Sequence, residues 1–142
     1  MIVLDTNVLS ELMRTHPAQA VIAWMDRHDP ATLFLTAVTV AEILYGIARL
    51  PDGTRKSGLR ELGAVVLEED FAGRILSFDE TAAACYADVV CERQRSGRLI
   101  SMADAQIAAI CRTLEGATLA TRNSLDFEGI GLDLANPWTD RH

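Results

Sequence analysis

At 142 residues, 49% hydrophobic and 23% charged, the chain has the size and composition of one folded domain that buries a sizeable core without disulfide or metal staples. Those values exclude disorder and collagen-like repeats. Thirteen basic against twenty acidic residues leave a net charge of -7. That excludes a basic nucleic-acid-coating protein, and an acidic chain that acts on nucleic acid needs a local device to hold phosphate.

Ile2-Val3-Leu4 is wholly apolar and ends at Asp5, the pattern of a strand buried on both faces. Val8, Leu9 and Leu12 then recur at helical spacing over Thr6 to Met13. A second helix is expected from Pro17, a good first-turn residue, to about Arg27. Leu33-Phe34-Leu35 reads as the next buried strand. An apolar helix follows from Thr39 to Leu50, closed by Pro51-Asp52-Gly53. Thr54 to Val66 is helical, Glu68-Glu69-Asp70 is a solvated acidic loop, and Ile75-Leu76 begins a third strand. Asp79 to Arg95 carries an amphipathic stripe through Ala82, Cys85, Tyr86, Val89 and Val90. Ser101 to Leu114 is another helix, capped by Gly116. Thr118-Leu119-Ala120 and Leu132-Asp133-Leu134 complete the strands. Strands alternating with helices imply an α/β domain with a parallel sheet covered on both faces, one domain over 1–142.

Cys85, Cys91 and Cys111 contain no CxxC pair and read as buried thiols of a reducing compartment. The longest apolar stretch is broken by Glu42 and Arg49, so no membrane span is expected. The opening residues lack the basic start of a signal peptide, and a cytoplasmic location is expected.

Sites in open parallel sheets form where strands end and helices begin. Four acids fall at such places: Asp5 after the first strand, Glu42 in the first turn of the helix after Leu33-Phe34-Leu35, Asp104 in the first turn after Ser101, and Asp126 beyond Thr121-Arg122-Asn123. Each alone has a capping explanation. Thr39-Val40-Ala41-Glu42 and Ser101-Met102-Ala103-Asp104 fit capping boxes, Asn123-Ser124-Leu125-Asp126 has the same spacing, and Asp5 can cap the helix it precedes. Capping does not explain why all four converge on one edge of the sheet. Two like charges at ~4 Å repel by roughly 4 kcal/mol at an effective dielectric of 20, so four carboxylates in one pocket call for a cation between them. Oxygen donors without His or Cys point to magnesium, with manganese as the alternative. Such an ion converts an acidic pocket into one that binds phosphate. Twelve of the thirteen basic residues are Arg, Lys56 being the exception. Coding bias accounts for most of that, while Arg122 stands beside the presumed site and its planar fork suits phosphate.

Taken together, these segments resemble the PIN-domain ribonucleases, in particular the VapC/FitB-type toxins of bacterial toxin–antitoxin pairs. The resemblance is carried by Leu4-Asp5-Thr6-Asn7, Ala41-Glu42-Ile43-Leu44-Tyr45-Gly46, Ala103-Asp104-Ala105-Gln106-Ile107-Ala108-Ala109, Thr121-Arg122-Asn123-Ser124-Leu125-Asp126-Phe127 and Asn136-Pro137-Trp138. They occur in order across nearly the whole chain. The resemblance implies a three-layer α/β/α fold around a short parallel sheet and metal-dependent cleavage of RNA. It maps Asp5, Glu42, Asp104 and Asp126 onto the family's acidic quartet, as catalytic residues and metal donors, with Asp5 and Asp104 the most direct ligands. Glu128 lies on the same turn as Asp126 and competes for the fourth position. Thr121 maps onto a supporting hydroxyl, Asn7 and Asn123 onto orienting residues, and Arg122 stands where substrate passes. A homodimer and a small cognate antitoxin of the VapB/FitA kind are implied as well.

Under that resemblance, one or two magnesium ions grip the scissile phosphate and acidify a water, Glu42 or Asp126 orients it, and attack leaves 5′-phosphate and 3′-hydroxyl ends. Cleavage through the ribose 2′-hydroxyl needs paired acid–base groups, and His16, His28 and His142 are scattered away from the strand ends. A haloacid-dehalogenase-like phosphatase needs a second acid where this chain has Asn7, and a lysine at the site, which Lys56 does not supply. No GxGxxG follows the first strand. The remaining alternative is a PIN-like RNA- or partner-binding module without nuclease activity. Some of Ile43 to Leu50 is expected to dock a partner helix, and Tyr45 to pack near the site or close its helix against the sheet.

Overall fold

The computed structural model describes residues 1–140; His142 lies outside them. Five short strands, β1 (Ile2–Leu4), β2 (Leu33–Thr36), β3 (Ile75–Leu76), β4 (Thr118–Ala120) and β5 (Asp133–Ala135), form one sheet in the order β3-β2-β1-β4-β5. Every pairing is parallel. Val3 lies opposite Phe34 on one side and Leu119 on the other. Six α-helices, α1 (Thr6–Leu12), α2 (Gln19–Asp26), α3 (Ala37–Ala48), α4 (Thr54–Val65), α5 (Glu80–Arg95) and α6 (Met102–Arg112), cover its two faces. The fold is thus a three-layer α/β/α sandwich, as the alternation of elements predicts.

Strand pleating explains the two cores, because consecutive side chains leave opposite faces. Leu4 and Ala120 face one side, where Val8, Leu9, Val21, Trp24, Ile43 and Ile47 of α1–α3 close over them. Val3 and Leu119 face the other, against Val89 of α5 and Ala105, Ile107, Ala108 and Cys111 of α6. Each fully buried Leu, Ile or Val contributes about 1.5–3 kcal/mol, so strands this short are held by the helices on both faces. Alanines along α6 remove bulk where that helix meets the sheet.

From β1 the chain moves outward through β2 to β3, then returns over α5 and α6 to β4 on the opposite side of β1. The order therefore reverses between β1 and β4. Open α/β sheets leave a crevice at that switch point, outside the carboxyl ends of the strands. Asp5 follows β1 and Thr121 follows β4. Their backbones continue the ladder, with Asp5 N–H donating to Ala120 O (2.9 Å) and Thr121 N–H to Ala135 O (2.9 Å).

Several sequence-based boundaries move. α2 begins at Gln19 rather than Pro17, with the Ala18 N–H held by the Glu11 carboxylate at 3.0 Å. α3 begins two residues before Thr39, because the Thr36 hydroxyl caps the Thr39 N–H at 3.1 Å. Thr39 is consequently not a cap, and Glu42 sits in the second turn rather than the first. Glu68-Glu69-Asp70 is exposed but not a loop. Val66–Asp70 continues α4 as a π-helical turn, with Phe71 N–H bonded to Val66 O (2.9 Å) and both side chains in the core. Gly116 adopts φ 75°, the left-handed conformation expected of it after α6. Of the three thiols only Cys111 is buried; Cys85 is half-buried and Cys91 exposed. Among the described residues no helix is long and apolar enough to cross a membrane.

Candidate active site

An open cleft of about 600 Å³ lies at the switch point, and Asp5, Glu42 and Asp104 all border it. Asp5 is set by two kinds of constraint. As the cap of α1, its Oδ1 accepts from the Thr6 N–H at 2.8 Å. Its Oδ2 accepts from the Thr121 hydroxyl at 2.8 Å and from Asn7 Nδ2 at 3.3 Å. Asp5 is 4% exposed and Thr121 is fully buried, so this contact links the ends of β1 and β4 away from water. The Asn123 N–H donates to Thr121 Oγ1 (3.1 Å), and the Arg122 N–H donates to Asn7 Oδ1 (3.2 Å). Thr121, Asn7 and Asn123 therefore gather about Asp5.

Glu42 is exposed and is held by a residue the sequence gave no reason to choose. Thr6 donates to Glu42 Oε1 at 2.7 Å and shares a 3.0 Å hydrogen bond with the Thr39 hydroxyl, which Thr36 approaches at 3.4 Å. A hydroxyl has one proton to give. With Thr6 donating to Glu42, the chain must run Thr36 to Thr39 to Thr6 to Glu42. The spacing of Thr36 and Thr39 is the signal that could have found it.

Asp104 enters from the first turn of α6, where Ser101 caps its N–H at 3.1 Å, as expected. Asp126 lies on a 3₁₀ turn (Ser124–Phe127) whose preceding Asn123 makes no side-chain cap. That excludes the capping explanation there. Asp126 acts electrostatically on Asp104 but does not border the cleft with Asp5. Its neighbour Glu128 is drawn toward Arg98, 3.7 Å away. Behind these loops the buried Arg93 donates to the carbonyls of Arg98 (3.1 Å), Leu99 (3.4 Å) and Glu128 (3.0 Å). It thereby joins the segment before α6 to the one after Asp126.

The charges bear the marks of crowding. Burial raises the Asp5 carboxyl from 3.8 to about 6. The bonds from Thr121 and Thr6 oppose the shift, while Asp104 and Glu42 add to it. Asp104 is likewise raised, first by burial and then by Asp126 and Glu42, against the Ser101 bond. Cys111 lies beneath; burial, followed by the charge of Asp5, pushes its thiol up to about 12.

Among the described residues no three His, Cys, Asp or Glu side chains are arranged to hold a metal ion between them. The donors nevertheless suit magnesium, which keeps several waters and takes one or two carboxylates together with substrate phosphate. A carboxylate offers about four acceptor positions. Asp5 uses three of them.

Glu11, Arg14, Arg55, Arg122 and Trp138 also border the cleft. Of these the sequence had marked Arg122 as a cleft residue. Tyr45 neither packs near the site nor closes α3 on the sheet: it is 62% exposed, with Arg49 over its ring at 5.8 Å. Beside the cleft runs a groove of about 800 Å³ lined by Met13, Ile43, Ile47, Leu50, Leu59 and Leu62 among others. His16 borders that groove, and His28 donates through Nδ1 to Trp24 O at 2.7 Å.

The family model described as PIN domain matches residues 2–130. The chain is 44% identical over 138 residues to VapC ribonuclease Y4jK of Sinorhizobium fredii, covering 97% of this chain and 98% of that one. It is 41% identical over 140 residues to toxin FitB of Neisseria gonorrhoeae, covering 99% and 100%. A solved structure described as FitAB bound to an IR36 DNA fragment superposes with a TM-score of 0.92 at 40% identity, over 100% of this chain and 99% of that one.

Proposed function

This chain belongs to the PIN domain family, and from that premise we propose that it is a magnesium-dependent endoribonuclease, the toxin of a toxin–antitoxin pair. The observation that carries the chemistry is the state of Asp5. It is buried at the switch point, facing the charges of Asp104 and Glu42, and held near 6. Carboxylates so crowded call for a cation, and relatives that align over nearly all of the chain are named ribonuclease and toxin.

In this reading Asp5 and Asp104 hold magnesium most directly, and Glu42 and Asp126 complete the acidic set, with manganese an acceptable substitute. The ion, when bound, supplies phosphate binding and an acidified water. The protein's part is positioning. Thr121 and Asn7 fix the Asp5 carboxylate, Asn123 fixes Thr121, and Thr6 holds Glu42 where it can orient or deprotonate the water. In-line attack gives 5′-phosphate and 3′-hydroxyl ends. The partner is a small antitoxin of the VapB/FitA kind, and the apolar groove along α3 and α4 is the surface for its helix. A homodimer belongs to the same reading.

The test is cleavage of end-labelled structured RNA by partner-free protein in magnesium, manganese or EDTA, alongside Asp5→Asn and Asp104→Asn. Metal-dependent cutting with 5′-phosphate ends, lost in both variants, is the expected result. Cutting that persists in EDTA or in both variants overturns the mechanism. RNA binding with no cutting under any condition favours a binding module instead.

A further inference from the structure

Arg122 borders a cleft that holds four carboxylates, those of Asp5, Glu11, Glu42 and Asp104, yet among the described residues it forms no ion pair with any of them. Its guanidinium carbon instead lies 5.0 Å from the centre of the Trp138 ring. That ring is fixed from below. Trp138 is half-buried against the core formed with α1–α3, and its backbone N–H donates to Asn136 Oδ1 (3.0 Å). Asn136 in turn donates to Arg122 O (3.4 Å), and its own N–H is held by Asp140 Oδ2 (2.7 Å). The carboxyl-terminal turn and the segment after β4 are thus tied together, with the Arg122 backbone also pinned by Asn7.

An arginine beside uncompensated carboxylates should collapse onto them. Stacking on an indole face keeps it out, since the ring attracts the cation while leaving the planar N–H fork free. A free fork at the rim of an acidic cleft fits a bidentate, anionic ligand. We propose that Arg122, propped on Trp138, grips a backbone phosphate of the RNA strand next to the one cleaved, with Trp138 as its positioning residue. This rests on the ribonuclease reading and adds to it the group that holds the strand. Two other arginines border the cleft: Arg14 is already engaged by Glu11 at 3.3 Å, and Arg55 has no aromatic ring beneath it among the described residues, which leaves Arg122 the better-positioned cation.

The test uses full-length Asp5→Asn protein, to prevent cutting, and a short fluorescein-labelled oligouridylate, with affinity measured across a salt series. Each phosphate neutralised on a single strand contributes roughly 0.7 to the slope of log affinity against log salt. Arg122→Gln should weaken binding roughly 10-fold and reduce that slope by about one such contribution. Trp138→Ala should lose part of the affinity and Trp138→Phe regain it, because a phenyl face still supports the guanidinium. Arg95→Gln, exposed in the last turn of α5 and not among the residues that border the cleft, controls for net charge and should change little. Thermal melting checks that each variant is folded. Unchanged affinity and slope in Arg122→Gln, with a wild-type chain that still cuts RNA, overturns the clamp alone. An Asp5→Asn chain that binds no oligouridylate overturns the clamp, and a wild-type chain that cuts no RNA in magnesium overturns the reading beneath it as well.

Discussion

Replacing Asp5 with Asn should make the metal-free chain more stable, although it removes the residue on which the proposed mechanism depends. A carboxyl that titrates at about 6 when folded and 3.8 when unfolded costs the folded state about 3 kcal/mol once ionised. Asn removes that cost and still caps α1, since Asn and Asp are comparable caps. It cannot accept from both Thr6 and Thr121 while presenting no N–H to Asn7, so about 1 kcal/mol of hydrogen bonding is lost. The net gain is about 2 kcal/mol at pH 7.5, or roughly 6 °C in melting temperature for a chain of this length. The sign follows from the raised value. Well below pH 3.8 Asp5 is protonated in both states and costs nothing; as pH rises from there through 6 the folded state retains its proton longer, and stability falls until ionisation is complete. Melting curves of both proteins in EDTA from pH 4 to 8 should therefore diverge through that window, with Asp5→Asn the more stable above pH 6. Added magnesium should raise only the wild type, through its preference for the folded site. A gap that is constant with pH, or an Asp5→Asn chain that melts lower at pH 7.5 in EDTA, would refute the reasoning.

Arg93→Met keeps the bulk of the side chain but strands three carbonyls, and should cost about 3 kcal/mol by chemical denaturation. Arg93→Lys should recover little of it, because an ammonium does not reproduce the fork. Thr6→Val releases Glu42 and should lower kcat roughly 10-fold, the scale of one positioning contact, while melting shifts by only a few degrees; an unchanged kcat removes Thr6 from the site. With a thiol reagent at pH 8, Cys91 should react first, Cys85 more slowly and Cys111 only on unfolding, as exposure and raised thiols require. Asp104→Asn should lower the Asp5 titration without returning it to 3.8, since burial is the larger cause; NMR titration of Asp5 reads this directly.

Elements whose signal was local emerged from the sequence almost intact. Ile2-Val3-Leu4 and Thr118-Leu119-Ala120 are strands because apolar runs of that length must be covered on both sides, and the alternation of elements sufficed for three layers. Boundaries set by a single tertiary contact did not emerge. Thr36 ends a strand and caps a helix at once, so Glu42 was placed a turn too early, and the Val66–Asp70 turn depends on where Phe71 finds its cavity. The acidic residues, and Asn7, Thr121 and Asn123 about Asp5, could be named from the sequence, whereas the hydroxyls beneath Glu42 and the guanidinium behind the loops could not. Thr6, Thr39 and Arg93 reach the site across 33 to 36 residues of sequence or through backbone carbonyls. Hydroxyls and a buried guanidinium carry no periodic signature by which such a reach could be read.

Capping and site formation looked like competing accounts of the same carboxylates, and the geometry separates them. Asp5 alone caps a helix with its side chain, using Oδ1, while its other oxygen is committed to Thr121 and Asn7. Asp104 does not cap; Ser101 does so for it. Glu42 lies beyond the cap of α3, and the turn that carries Asp126 has none. Capping thus accounts for one carboxylate of four. Nor does it compensate Asp5 for its position, since the bonds from Thr121 and Thr6 fail to offset burial. The ionised Asp5 carboxylate thus costs the fold about 3 kcal/mol, with further acids around it and no ion pair to relieve them. Under the proposed function a divalent cation, followed by the phosphate it attracts, would supply the missing positive charge, which a hydrophobic or neutral ligand would not.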